Sequence, residues 1–446
     1  MGRLFGTDGV RGVANVDLTP ELALALGRAL VAVLKDDERR PSVIIGRDPR
    51  WSGEVLESAL VAGITSAGGD AVTVGVLPTP GVAYITPATG AAAGAVISAS
   101  HNPVGDNGIK FFNDAGFKLT DEQEDRLEAL LDRDDLPRPR GIDIGRRYSD
   151  HGAVARYVAH LTGAAETDLS GLRIVVDGAN GAASSIGPQV YRQLRADVVT
   201  INCAPDGANI NRASGSTYPE ILQAAVAEYG ADVGVAHDGD ADRVIAVTRD
   251  GDIVDGDVIL AILARHRKER GTLRDDTVVT TVMTNLGFKK AMAELGIEVI
   301  ETAVGDRYVL EALRERELVL GGEQSGHIIQ LDEATTGDGL LSAVKLLSVV
   351  KHSGQDLAAL TQVMTRLPQV LVNVEVADRE ALGGADPVWA AVEAEEGKLG
   401  EDGRVLVRPS GTEPLVRVMV EAPTDEDAQA SADRIASVVR EALNPA

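Results

Sequence analysis

The sequence predicts an α/β protein: three similar mixed α/β domains followed by a smaller C-terminal α+β domain. Three observations predict it. A chain of 446 residues exceeds what one ordinary core accommodates, so several domains are expected. Short apolar strand-like runs alternate with amphipathic helical stretches, the pattern of parallel α/β layers. After about Pro368 that alternation gives way to a few strands and one long helix.

Thr19-Pro20-Glu21 opens the first helix with a Thr cap, Pro at the first helical position and an acid in the first turn. Leu22, Leu26, Leu30 and Val33 follow at helical spacing. Ser42-Val43-Ile44-Ile45-Gly46-Arg47-Asp48 reads as a buried strand, and a second helix runs from about Glu54 to Gly68-Gly69. The small apolar run Gly94-Ala95-Val96-Ile97-Ser98-Ala99 is another strand. Residues 132–141, charged and proline-containing, read as a linker. Arg173-Ile174-Val175-Val176-Asp177 suggests a second unit, and Thr277-Val278-Val279-Thr280-Thr281-Val282 begins a third. In the last unit, Val405-Leu406-Val407 and Val416-Arg417-Val418-Met419-Val420 look like paired strands, with residues 370–376 beside them. Thr424-Asp425-Glu426-Asp427 resembles a capping box for a final helix with Ile435, Val438, Val439 and Ala442 on one face. The expected boundaries are residues 1–152, 153–254, 255–368 and 369–446.

A hydrophobic content of 44% with 25% charged residues is that of a folded globular protein. Aromatics at 3% supply no stacking platform for single strands, and a net charge of −25 repels polyanions, so no nucleic-acid partner is expected. Cys203, the single cysteine, allows no internal disulfide and fits a reducing compartment; it reads as a small buried hydrophobe. The first residues carry no apolar signal region, and no apolar run approaches a membrane span. A cytoplasmic protein with no membrane partner is expected.

The chemistry concentrates in four loops. In His237-Asp238-Gly239-Asp240-Ala241-Asp242-Arg243, three carboxylates alternate between two apolar runs. In an extended segment such side chains point the same way, so Asp238, Asp240 and Asp242 can converge on one point. Like charges that close repel unless a cation sits between them, and an all-oxygen set favours Mg²⁺, Ca²⁺ or Mn²⁺ over zinc. An EF-hand is excluded, because its sixth position would be Arg243 and its twelfth Arg249. Mg²⁺ with few protein ligands points to phosphate chemistry. A second loop, Ser100-His101-Asn102-Pro103, ends a strand and leads through Gly105-Asp106-Asn107-Gly108-Ile109 to Lys110. By itself it is a polar turn; beside the aspartates, Ser100 can carry a phosphoryl group whose oxygens complete the metal shell. Gly321-Gly322-Glu323-Gln324-Ser325-Gly326-His327 offers an acid, an amide and a hydroxyl to sugar hydroxyls, although His327 alone reads as structural. Arg408-Pro409-Ser410-Gly411-Thr412-Glu413-Pro414, with Arg417 nearby, makes an anion cradle.

These four loops, in this order and over the whole chain, resemble those of the α-D-phosphohexomutases. Within that family Phe5-Gly6-Thr7-Asp8-Gly9-Val10-Arg11-Gly12, Gln324 and Asp106-Asn107-Gly108 are similar to the branch acting on glucosamine phosphates. The resemblance implies four domains around a central cleft and interconversion of glucosamine 6-phosphate and glucosamine 1-phosphate, a step toward UDP-N-acetylglucosamine. It implies one Mg²⁺ per chain on Asp238, Asp240, Asp242 and phosphorylated Ser100, a sugar 1,6-bisphosphate as intermediate and activator, and a homodimer. The phosphorylated amino sugar would meet Arg11, Arg307, Glu323, Ser325, His327, Arg408, Ser410, Gly411, Thr412 and Arg417. Arg243 would help neutralise charge, with Lys110, ahead of His101, moving protons near Ser100. The competing readings are a mutase acting on glucose or mannose phosphates, a phosphatase, and a non-catalytic sugar-phosphate sensor.

Overall fold

Pro20–Leu34 is helical, and Thr19 caps it: the Leu22 amide donates to Thr19 Oγ1 at 3.2 Å. The second helix, Trp51–Ser66, starts three residues before the expected Glu54, because the Trp51 amide finds a distant acceptor, the Gly207 carbonyl at 3.2 Å. The two helices cross with their backbones nearly touching. A Cβ on Gly27 would lie 2.6 Å from the Leu60 carbonyl oxygen, and one on Gly63 would lie 2.2 Å from that of Leu24.

The computed structural model describes residues 4–6, 8–34, 40–133, 135–410 and 414–444. They divide into one unit of Met1–Val282 with Ile297–Gln362, and another of Met283–Gly296 with Val363–Ala446.

The first unit holds three sheets. The first runs in the order Val10–Val13, Asp106–Asn113, Ala93–Ile97, Ser42–Arg47, Asp70–Val76, Arg147–Ser149, and the second Ile253–Val254, Val244–Thr248, Val233–His237, Arg173–Asp177, Asp197–Ile201. The third runs Glu298–Thr302, Thr277–Thr281, Leu320–Gly322, Ile328–Gln330. Each sheet repeats one device. A strand in the parallel part ends in a loop, and the chain returns antiparallel beside it. Ala93–Ile97 pairs this way with Asp106–Asn113, Val233–His237 with Val244–Thr248, and Leu320–Gly322 with Ile328–Gln330. The serine, aspartate and sugar loops of the sequence are these three connections. All leave the carboxyl ends of strands, where open α/β sheets bind ligands.

In the second unit, Gln369–Glu375, Leu415–Glu421 and Arg404–Pro409 form an antiparallel sheet with Leu415–Glu421 central. Ile435 and Val439 of the helix Asp425–Leu443 share its core with Val416 and Val418, and Thr424 Oγ1 accepts from the Asp427 amide at 3.1 Å. The helix Leu286–Glu294 belongs to this unit although strands of the third sheet flank it in sequence. The buried Glu421 carboxylate accounts for this: it accepts from the Leu286 amide at 3.0 Å and from Arg404 Nε at 3.0 Å.

Gly63→Ala forces the helices apart and should destabilise the first unit by about 2 kcal/mol, the usual scale of overpacking. A calorimetric midpoint equal to wild type would show that the helices separate without cost.

Candidate active site

The strand Val233–His237 delivers the chain to Asp238, and Val244–Thr248 takes it away. The aspartate segment between them is a tight turn with Ala241 in the left-handed region at φ 57°, not the extended run expected from sequence. Convergence therefore comes from the reversal of a hairpin, not from strand alternation. One carboxylate oxygen from each of Asp238, Asp240 and Asp242 lies within 4.8 Å of the others, and all three residues are buried.

Their partners are unevenly shared. Lys110 Nζ sits 2.9 Å from Asp240 Oδ2, 3.1 Å from Asp8 Oδ2 and 3.9 Å from Asp242 Oδ2. Thr79 Oγ1 donates to Asp240 Oδ2 at 2.6 Å. Asp240 Oδ1 and Asp242 Oδ1 are buried with no hydrogen-bond partner. A buried carboxylate oxygen without a donor is costly, and a hard divalent cation is the group that relieves it. The triad could hold such an ion. Burial, with Asp242 and Asp240 adding to it, pushes the Asp238 carboxyl well above the usual carboxylate range. Burial also opposes ionisation of Asp242, but His327, Lys110 and Arg243 outweigh it and hold that pKa down. Lys110 is desolvated too, yet Asp240, Asp8 and Asp242 raise its pKa and keep it charged.

Ser100 follows the strand Ala93–Ile97 with φ 50°, a left-handed conformation rare outside glycine, and is 1% exposed. Its Oγ donates to Asp238 Oδ2 at 2.5 Å and lies 3.3 Å from His101 Nδ1. The two loops touch through backbone: a Cβ on Gly239 would stand 2.4 Å from the Ser100 carbonyl oxygen. Burial, Arg243 and Arg11 together lower the His101 pKa and favour the neutral ring. Lys110 projects from the neighbouring strand, its backbone paired with Val96, and its amine contacts the aspartates.

The sugar loop lies between Leu320–Gly322 and Ile328–Gln330. Glu323 Oε1 accepts from the Gly305 amide at 3.1 Å, and Ser325 Oγ is 3.5 Å from Glu323 Oε2. His327 stands between Asp242 at 3.6 Å and Asp306 at 3.7 Å; those carboxylates raise its pKa although burial lowers it. Arg243 is 3.8 Å from Asp242. Arg11 pairs with Asp8. Arg307 is spent on the first sheet's layer, where its Nη2 donates to both carboxylate oxygens of Glu124 at 3.0 Å and its Nη1 pairs with Asp121.

In the second unit, Arg408 and Arg417 are direct cross-strand partners. Burial and then Arg417 lower the Arg408 pKa. Two guanidiniums so placed gain from an anion. Ser410 is buried and receives Arg379 Nη1 on its carbonyl at 2.6 Å. Gly411 and Thr412 lie outside the described residues.

Sequence reasoning missed Thr79, which has no local signal, and Lys118, whose ammonium bridges Asp8 and Asp306. It also missed Asp48, Arg50 and Asn211, which hold the serine loop from below. Cys203, expected to be buried, is only half-buried, and desolvation pushes its thiol up to about 12. Among the described residues, no helix is long and apolar enough to cross a membrane.

The chain matches all four domains of phosphoglucomutase/phosphomannomutase: α/β/α domain I over residues 2–138, domain II over 155–251, domain III over 255–367 and the C-terminal domain over 371–438. It belongs to that family. It is 54% identical to a phosphoglucosamine mutase of Oceanobacillus iheyensis, covering 99% of this chain and 100% of that one. It is 56% identical to a phosphoglucosamine mutase of Saccharopolyspora erythraea, covering 98% and 99%. A phosphoglucomutase/phosphomannomutase family protein of Burkholderia thailandensis has a similar structure, with TM-score 0.83, 25% identity and coverage of 100% and 98%. An N-acetylphosphoglucosamine mutase of Aspergillus fumigatus, solved with GlcNAc-6P and magnesium, shares the fold at TM-score 0.70 and 17% identity, covering 99% and 96%.

A divalent cation must displace any proton held by Asp238. Asp238 is an acid with a raised pKa, so cation affinity should rise with pH, and calorimetry in buffers of different ionisation enthalpy should detect proton release below that pKa. Asp240→Asn should weaken the affinity. Affinity that is flat across the pH series, or untouched by Asp240→Asn, would remove the triad as the binding site.

Proposed function

We propose that this chain interconverts glucosamine 6-phosphate and glucosamine 1-phosphate, with Ser100 donating and accepting the phosphoryl group. One observation carries the proposal: a buried serine hydroxyl 2.5 Å from a carboxylate of a metal-competent triad. The family's end-to-end match and the relatives named phosphoglucosamine mutase supply the choice of sugar. The work divides along the chain, with residues 1–152 presenting the serine and 153–254 the metal ligands. Residues 255–368 supply the sugar loop and 369–446 a phosphate loop.

Asp238, Asp240 and Asp242 would hold Mg²⁺, joined by an oxygen on Ser100. Bound there, Mg²⁺ supplies positive charge to phosphate oxygens. The protein's own part is positioning and neutralisation. In one half-reaction the bond between Ser100 Oγ and phosphorus breaks, a bond from phosphorus to the free sugar oxygen forms, and that hydroxyl's proton passes to a base. The other half-reaction reverses these roles with the second phosphate, through a 1,6-bisphosphate. His101, with a neutral ring beside Ser100 Oγ, suits the base. Lys110 was favoured over His101 for acid/base work on sequence; its ion pairs with Asp240 and Asp8 suit charge compensation and the proton-donating half of that work. Arg243 and Arg11 offset phosphate charge. Glu323, Ser325 and His327 take sugar hydroxyls and the amine, and Arg408, Ser410, Gly411, Thr412 and Arg417 take phosphate. Arg307 joins them only by leaving Glu124. The reading includes a homodimer and a sugar 1,6-bisphosphate that loads Ser100, both carried over from the family, and a cytoplasmic location, expected from the composition and the single cysteine.

Coupled assays on glucosamine, glucose and mannose 6-phosphates test the proposal. Glucosamine phosphate should give the highest kcat/KM, since a site built to hydrogen-bond an amine discriminates strongly against a substrate lacking it. Chelation should stop turnover, and Ser100→Ala should lower kcat by on the order of 10⁴-fold while the protein stays folded. Equal use of mannose phosphate would move the chain to the sister branch, and wild-type rates in Ser100→Ala would end the proposal.

A further inference from the structure

Arg50 is a fully buried arginine with five N–H donors to satisfy. Nε donates to Asp48 Oδ2 at 2.9 Å. Nη1 donates to the carbonyls of Pro103 and, at 3.1 Å, Asp106. Nη2 donates to the carbonyls of Ser100 at 3.1 Å and Asn102 at 2.8 Å. Four of the five bonds therefore hold the backbone of the serine loop and its exit.

The amide of Ser100 is tied to the same pair. It donates to Ser98 Oγ at 3.0 Å, and Ser98 Oγ donates to Asp48 Oδ2 at 2.6 Å. A second hand comes from the layer that carries the aspartate hairpin. Asn211 Nδ2 donates to the carbonyls of Ser100 at 2.7 Å and Asn102 at 3.0 Å, the two that Arg50 Nη2 also holds. Asn211 is itself anchored, its amide donating to the Ala179 carbonyl at 2.9 Å. No side-chain atom of Arg50 or Asn211 meets Ser100 Oγ.

A left-handed serine persists only where its surroundings over-determine it. Here the donors do so from two layers at once. We propose that Arg50 and Asn211 are positioning residues that fix Ser100 in its left-handed conformation, aim its Oγ at Asp238, and thereby set the rate at which the serine exchanges its phosphoryl group. The inference rests on the phosphoserine reading above. It assigns a role to a buried ion pair and a distant amide that neither bind the sugar nor hold the metal.

The test compares wild type, Arg50→Lys and Asn211→Ala as full-length proteins with Mg²⁺ and glucose 1,6-bisphosphate. Lysine keeps the charge but has three donors for five acceptors. Misaimed by a fraction of an ångström to an ångström, the serine should lose kcat by about 100-fold in Arg50→Lys and about tenfold in Asn211→Ala. KM should stay within about twofold of wild type, because no substrate contact is lost. Intact-mass spectrometry should show phosphorylation of Ser100 slowed in step with kcat, with Mg²⁺ affinity unchanged. Wild-type kcat in a folded Asn211→Ala overturns the proposal, and so does a raised KM with kcat intact. Should Arg50→Lys fail to fold, Asn211→Ala alone decides. Failure of wild type itself to turn over or to carry phosphate on Ser100 would instead refute the function on which the inference rests.

Discussion

Three carboxylates on one buried hairpin are the constraint around which the rest of the first unit is arranged. At about 4 Å each pair of like charges costs roughly 4 kcal/mol even at an effective dielectric constant near 20. The surroundings answer with Lys110, Arg243, His327 and the Thr79 hydroxyl, drawn from all three sheets' layers. Opposite charges then alternate outward, from Asp240 to Lys110 to Asp8 to Lys118 to Asp306. Even so, one oxygen each on Asp240 and Asp242 stays without a donor. The protein compensates most of the charge and leaves a remainder that a cation can take.

The fold brings these groups together by repetition. One strand, one loop and one antiparallel return occur in each of three sheets, and glycines let the loops interlock backbone on backbone. Gly239 lies against the Ser100 carbonyl. A Cβ on Gly326 would stand 2.0 Å from the Val244 carbonyl oxygen, and one on Gly339 2.2 Å from that of Arg243. The aspartate hairpin is thus pinned between the serine loop and the sugar-loop layer.

The chemistry was legible in the sequence wherever it is local. Asp238, Asp240 and Asp242 sit close in the chain, so their spacing revealed a shared point although it misled about the backbone, which turns at Ala241 instead of extending. The order of strands and helices was legible for the same reason, from periodicity and caps such as Thr19 and Thr424. What escaped was non-local. Nothing near Thr79, Arg50 or Asn211 announces that each reaches a loop set by another segment. Arg307 was assigned to the substrate by resemblance, and only the fold shows Glu124 across from it. The grouping of helix Leu286–Glu294 with the last sheet depends on Glu421, more than a hundred residues away.

The central claim is that the phosphoryl group leaves the sugar for Ser100 and returns from it. A single-turnover experiment with glucosamine 6-phosphate carrying ¹⁸O in its phosphate, on enzyme pre-loaded with unlabelled phosphate, tests this directly. The first glucosamine 1-phosphate formed should carry the unlabelled phosphoryl group, while the heavy isotope appears on the Ser100 peptide. Label that stays with its original sugar, leaving Ser100 light, would mean that the phosphate migrates without the serine.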